Sequence, residues 1–137
     1  MTKSIMVPVD LAHKDALQKA IETAGKLAKA DNADLTLIGL TESAPSEVAH
    51  NPKEFDEKLQ EFASQVSANV GHPVTAKSIV DVDVPADIGS VLISTAEEMG
   101  ADLIVMGSHA PGLLEYFLSS NAGYVASHAQ CSVYVVR

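Results

Sequence analysis

The sequence predicts a three-layer α/β/α fold, with one open, five-stranded parallel sheet flanked by four helices. Three observations predict it. β-rich runs alternate with amphipathic helical stripes along the whole chain, in the order β-α-β-α-β-α-β-α-β, and such alternation implies right-handed crossovers and parallel strands. Hydrophobic residues make up 47% of the chain and aromatics only 4%, so the core must be built from Val, Ile, Leu, Ala and Met, a palette suited to a sheet covered on both faces. At 137 residues, without internal repeat, low-complexity tract or linker, residues 1–137 are expected to form a single domain large enough to bury its own core.

Each element has its own signal. Ser4 to Val9 (SIMVPV) reads as a buried first strand. Ala16, Leu17, Ala20, Ile21, Ala24, Leu27 and Ala28 form one apolar helical stripe, with Lys14, Lys19, Glu22, Lys26 and Lys29 off it. Asp34 to Thr41 is the second strand, and residues 43 to 52 are loop-like. Asn51, Pro52 and Glu54 form an N-cap, a first helical position and a reaching carboxylate. Phe55, Leu59, Phe62, Ala63, Val66 and Val70 make the second helix, which Gly71 ends ahead of Pro73.

Val74 to Val82 is a third strand, polar at alternate positions and therefore nearer an edge. Pro85 opens a third helix carrying Ile88, Val91, Leu92, Thr95, Ala96 and Met99, and Gly100 stops it. Asp102 to Gly107 (DLIVMG) has no polar residue inside and is expected to be central. Ala122, Val125, Ala126 and Ala129 mark the last helix, and Cys131 to Val136 the fifth strand.

Charge and composition exclude several function classes. A net charge of −9 argues against nucleic-acid partners and against anionic membranes. No apolar stretch approaches the ~18 residues of a membrane span, and the opening MTKSIMVPVDL, broken by Pro8 and Asp10, does not read as a signal peptide. One cysteine, Cys131, rules out an internal disulfide and fits a reducing compartment, so a soluble, cytoplasmic protein is expected. Cys131 reads as buried filler with no basic partner to activate it. His13, His50, His72 and His128 share no metal-ligand spacing and read as surface residues, so no metal site of the protein's own is expected.

In an open α/β sheet a ligand sits beyond the carboxyl ends of the strands, at the switch point. The loops there contain Pro8, Asp10 and Leu11 after strand one, and Gly107, Ser108, His109, Ala110, Pro111 and Gly112 after strand four. The second loop runs on to Ser119, Ser120 and Asn121, just before the last helix. Glycines let a backbone approach a ligand, and hydroxyls at a helix start stand beside free backbone N–H groups, so this end suits a phosphate even in an acidic protein. Neither G-x-G-x-x-G nor G-x-x-x-x-G-K-[ST] is present, which disfavours a dinucleotide fold and a P-loop NTPase. Each residue also has a plainer role: Asp10 as a cap for the turn into the first helix, His109 as a solvated loop residue, and Ser119 and Ser120 as N-caps, a role compatible with phosphate contact.

IMVPVD at the start, ADLIVMGSH at the fourth strand and HAQCSVYVVR at the end resemble the universal stress protein family, over the whole chain. The stretch from Ser108 to Arg137 is most similar to the F and G subgroup, whose loop also carries S-H-x-P and ends in S-N-A. The resemblance implies an adenine-nucleotide-alpha-hydrolase-like, Rossmann-like sheet. ATP-binding members carry G-x-x-G-x9-G-[ST] between strand four and the last helix. Here Gly107 matches the first glycine, Ala110 takes the second, with Gly112 as partial replacement, and Ser119 and Ser120 take the last two places in a loop one residue shorter. A side chain at Ser119 would crowd the phosphates.

By the same matching, Pro8, Val9 and Asp10 lie against adenine and ribose, Leu40 packs on the base, and Met106 and Gly107 touch the ribose. Ser108, His109, Gly112, Ser119, Ser120 and Asn121 surround the phosphates. The ligand implied is ATP or AMP, with Mg²⁺ accompanying the phosphates. The family dimerises through the last strand, so Val133, Tyr134, Val135 and Val136 are the expected homodimer interface. The expectation is a non-catalytic nucleotide-binding protein of the stress response. Two alternatives stay open. One is a slow ATPase, with His109 the nearest candidate and no Walker-type lysine; the other is a nucleotide-free dimeric scaffold, which Ala110 and Ser119 favour.

Overall fold

The computed structural model describes residues 2–11, 17–41, 51–80, 88–107 and 120–137, with the backbone alone at Ser120 and Asn121. The elements are β1 (Ser4–Val9), α1 (Gln18–Asp31), β2 (Asp34–Thr41), α2 (Pro52–Val70), β3 (Val74–Val80), α3 (Ile88–Met99), β4 (Leu103–Gly107), α4 (Ser120–His128) and β5 (Ser132–Val136). All strand pairs are parallel, and the sheet order is β3-β2-β1-β4-β5. The apolar run of β4 is explained by its place between β1 and β5, one strand from the middle, while β1 holds the centre. Alternate polarity in β3 matches its place at one edge; β5 forms the other.

Strand alternation splits the apolar residues into two cores. On one face Ile5, Val7 and Val9 of β1 pack with Leu35 and Leu37 of β2, Val105 of β4 and Val136 of β5, under α1 and α2. On the other face Met6, Ile38, Leu40, Ile104 and Met106 pack with Ile88, Leu92 and Ala96 of α3 and Ala122 and Val125 of α4. The sheet is therefore the middle of three layers. Full burial of each such side chain stabilises the fold by roughly 1.5–3 kcal/mol before conformational entropy is set against it.

Helix ends follow local chemistry. Asn51 caps α2, its Oδ1 accepting from the Glu54 N–H at 2.8 Å, with Pro52 at the first position. The Glu54 carboxylate pairs with Lys58 at 3.3 Å. Gly71 ends α2 at φ 70, and Asn32 ends α1 at φ 50, where a short polar side chain tolerates the left-handed region.

Four expectations are corrected. His72 is not a plain surface residue: it is half-buried, with Nε2 2.7 Å from the Ala33 carbonyl, so it joins the start of β3 to the start of β2. Ala126 is exposed, and α4 buries Ala122 and Val125 instead. Cys131 is half-buried rather than wholly inside. Asp102 and Cys131 precede their strands and do not belong to them. The expected positions Ala16, Asp81, Val82 and Pro85, with His13 and His50, lie outside the described residues.

Candidate functional site

The site begins as a seam in the sheet. The order of strand addition reverses at β1: β2 and β3 are laid down on one side of it, β4 and β5 on the other. Such a switch point leaves a crevice, because the connections leaving the two strands turn to opposite faces. The pairing makes this concrete. β1 is in register with β2 from Ser4↔Asp34 to Val9↔Gly39, and β4 with β5 from Leu103↔Ser132 to Gly107↔Val136. Between β1 and β4 the ladder among the described residues is Ile5↔Leu103 and Met6↔Ile104. Past those rungs, Val7 to Val9 and Val105 to Gly107 stay side by side and share a buried core but carry no further rung. Pro8, which brings no N–H to a ladder, lies in this unpaired stretch.

Gly107 stands at the mouth. Among the described residues a Cβ built there would meet nothing nearer than Leu17 Cδ2 at 4.0 Å, and one on Gly123, in α4, meets nothing within 4 Å. Several other glycines have a structural reason. A Cβ on Gly39 would come within 3.0 Å of Leu59 and Phe55, one on Gly89 within 2.4 Å of Tyr124, and Gly71 and Gly100 hold φ of 70 and 68. Among the described residues neither packing nor a positive φ calls for glycine at Gly107, which leaves room for close approach of a ligand to its backbone.

Several expected site residues meet at this end of the sheet. Pro8, Val9 and Asp10 close β1, Leu40 lies near the end of β2, and Met106 and Gly107 close β4. The side chains of Val9 and Met106 are buried in the two opposite cores, so what they offer the crevice is backbone. Leu40, 9% exposed, sits at the rim of its core, and Asp10 is half-buried. Ser120 and Asn121 open α4, a nine-residue helix. Ser108, His109, Gly112 and Ser119 lie outside the described residues.

The amino end of the same seam is tied, by a residue that sequence reasoning took only for a strand position. Asp102 Oδ2 accepts from the backbone N–H of Lys3 at 2.6 Å and of Ser4 at 3.0 Å. Its own N–H donates to the Ser4 carbonyl at 2.9 Å, and its carbonyl accepts from Ser132 at 3.3 Å. The Lys3 N–H above all, then that of Ser4, holds the Asp102 carboxyl below the usual carboxylate range. The signal available beforehand was a charged residue opening an otherwise apolar strand.

A cavity of about 510 Å³ also lies at the amino end, lined by Ile93, Ala96, Glu97, Asp102, Cys131 and neighbouring backbone. No basic side chain lines it, and Glu97 and Asp102 repel an anion. Burial pushes the Cys131 thiol up, and Asp102 and Glu97 add to the shift, so the thiol stays protonated and unreactive. The charge of this cavity makes it the wrong end for a phosphate.

The family model of the universal stress protein family matches residues 1–137. The chain belongs to that family. It is 34% identical over 142 residues to universal stress protein G of Salmonella typhimurium, covering 100% of both. Among solved structures it is similar to a universal stress protein in complex with cAMP, with TM-score 0.73, 21% identity and 99% and 97% of the two chains covered. It is also similar to the Archaeoglobus fulgidus universal stress protein in complex with dAMP, with TM-score 0.67, 16% identity and 98% of each chain covered. These likenesses agree with the Rossmann-like sheet expected from the sequence.

Proposed function

We propose that this universal stress protein binds an adenine nucleotide, ATP or AMP, at the carboxyl end of the β1–β4 seam, and that it does so as a homodimer. The observation that carries the reading is the seam itself, without a ladder rung past Met6 and Ile104 and bordered by a glycine with room for a Cβ among the described residues. The cAMP and dAMP complexes of proteins with this fold support it. Adenine and ribose lie against Pro8, Val9 and Asp10, with Leu40 on the base and Met106 and Gly107 at the ribose. The phosphates run toward the start of α4, where Ser120 and Asn121 open the helix and first-turn amides attract an anion. Ser108, His109, Gly112 and Ser119 complete the phosphate side, and Mg²⁺ arrives with the phosphates. Held by amides and hydroxyls, a phosphate needs no cluster of lysines, which reconciles the ligand with a net charge of −9.

The dimer reading rests on unlike edges. The β3 edge is closed by α2: Gln60 Nε2 donates to the Ala76 carbonyl at 3.0 Å, and Ser78 Oγ to Asp56 Oδ1 at 3.0 Å. The β5 edge carries Val133, Tyr134, Val135 and Val136, with Tyr134 47% exposed, and no strand among the described residues lies beyond it. Open edges invite pairing, and a second copy of β5 fits this one.

The test is direct. Purified protein is denatured and the supernatant run on an ion-exchange column, while native protein is melted with and without added ATP or AMP. Released adenine nucleotide, or a nucleotide-dependent rise in Tm, is the expected result. A nucleotide-free supernatant together with an unmoved Tm overturns the reading. Sedimentation at dilute concentration decides the dimer separately, with a monomer contradicting it.

A further inference from the structure

Three side chains on one side of α2 are tied to β3 and the turn before it. Ser67 Oγ donates to the His72 carbonyl at 2.8 Å, Gln60 Nε2 to the Ala76 carbonyl at 3.0 Å, and Ser78 Oγ to Asp56 Oδ1 at 3.0 Å. Gln60 Nε2 also lies 3.4 Å from that Asp56 oxygen, so the last two ties form one network. The groove between α2 and α1 is lined from the other side of α2, by Phe62, Gln65, Val66 and Asn69. Asp56, Gln60 and Ser67 therefore stand away from α1, on the outer side of β3, where no described strand follows. Of the two edge strands β3 is the longer, with seven residues against five in β5, and a longer edge is the better template for another strand. Pairing there needs an uninterrupted run of N–H and C=O groups. Gln60 Nε2 sits on the carbonyl of Ala76, near the middle of the strand, in the place of an incoming N–H.

We propose that Asp56 and Gln60 hem the β3 edge against a second copy of this chain and so confine self-assembly to the β5 edge. Symmetry gives the hem its consequence. A chain that pairs with its copy at one edge closes as a dimer, whereas one that pairs at both edges extends into an open chain. The strand kept out is β3 of another copy. The closed-dimer part of this inference rests on the homodimer reading above; the hem itself does not.

The test compares Gln60→Ala, the double variant Asp56→Ala with Gln60→Ala, Gln60→Lys, which keeps a donor for the Ala76 carbonyl, and the control Glu61→Ala. Glu61 is an exposed acid on α2 next to the hem, so its removal reports the loss of charge alone. Gln60 is exposed, and Ala is the better helix former there, so Gln60→Ala keeps the fold. Sedimentation is run over a wide range of concentration in high salt, which screens the exposed Lys77 of one copy from that of the next. The unmodified protein, Gln60→Lys and Glu61→Ala should each keep one mass. Gln60→Ala should add a species of about twice that mass that grows with concentration, and the double variant more of it. Hydrogen exchange places the contact: in the double variant the amides of β3 should gain protection as concentration rises, while those of β5 stay as they were. An unchanged mass in the double variant, equal association in Glu61→Ala, or protection gained away from β3 overturns the hem. A monomeric unmodified protein overturns the homodimer reading alone, and the variants then decide the hem by pairing, or failing to pair, through β3.

Discussion

The two ends of the sheet are built in opposite ways. At the amino end, long-range bonds to backbone groups close the structure: the Asp102 side chain to Lys3 and Ser4, the Asp34 N–H to the Lys3 carbonyl at 2.9 Å, the Thr2 N–H to the Asp31 side chain at 3.0 Å, and the His72 side chain to Ala33 at 2.7 Å. At the carboxyl end the β1–β4 seam loses its rungs and presents Pro8, Val9, Asp10 and Gly107. Nearly the same residue types, small and apolar with a few acids, produce a fastened end and an open one. The difference lies in where backbone groups find partners. Stability and ligand binding should therefore separate by position, and substitutions can break or sharpen that division.

The largest effect on stability should come from the cores that both ends share. Leu92→Ala empties a fully buried site on α3 and should cost about 2–5 kcal/mol, read by chemical denaturation. Gly107→Val should do the reverse. With Leu17 Cδ2, at 4.0 Å, the nearest described atom to a Cβ, it should leave the denaturation midpoint nearly unchanged yet weaken nucleotide binding about 100-fold, which equals roughly 3 kcal/mol of overpacking against the ligand. A large stability loss in Gly107→Val would erase the contrast between the ends.

Gly39→Val tests the contrast from the other side. Its side chain would press on Phe55 and Leu59, destabilising by about 1–3 kcal/mol, while properly folded protein still binds. Asn51→Ala, which removes the α2 cap, should cost about 1 kcal/mol in a melting experiment and nothing in affinity.

The smallest effect is a pH dependence. Because the Asp102 carboxyl titrates below the ordinary range in the folded chain, its contribution is complete above that range. It is lost as the pH falls through the folded value. Between about pH 4 and pH 2 the unmodified protein should therefore lose more stability than Asp102→Asn. Parallel acid curves would remove the ionised carboxylate from the amino-end tie.

These contrasts also mark what the sequence makes legible. The element order, the edge position of β3, the interior position of β4 and the Asn51 cap are all visible in it, because each is written in local periodicity or in a motif four residues long. The carboxyl-end loops are located by topology, which places Pro8, Val9, Asp10 and Gly107 correctly at one end. The early end of the β1–β4 ladder is not visible, since it depends on how the backbones of two strands nearly a hundred residues apart are set against each other. Asp102 and His72 are missed for a related reason. Each bonds to a distant backbone atom (Lys3 and Ser4 for one, Ala33 for the other), and backbone groups carry no sequence signature. Cys131 is misjudged because burial just ahead of a strand depends on the cavity between the end of α3 and the segment entering β5, not on the strand's own pattern.

The most direct test maps the ligand onto the two ends. In a backbone amide NMR titration with AMP, the shifts should concentrate at Val9, Asp10, Gly107 and the first turn of α4, leaving Lys3, Ser4, Ala101 and Ser132 in place. Shifts confined to the amino end around Cys131, or no shifts at saturating AMP and ATP, would contradict a nucleotide site at the open end of the seam.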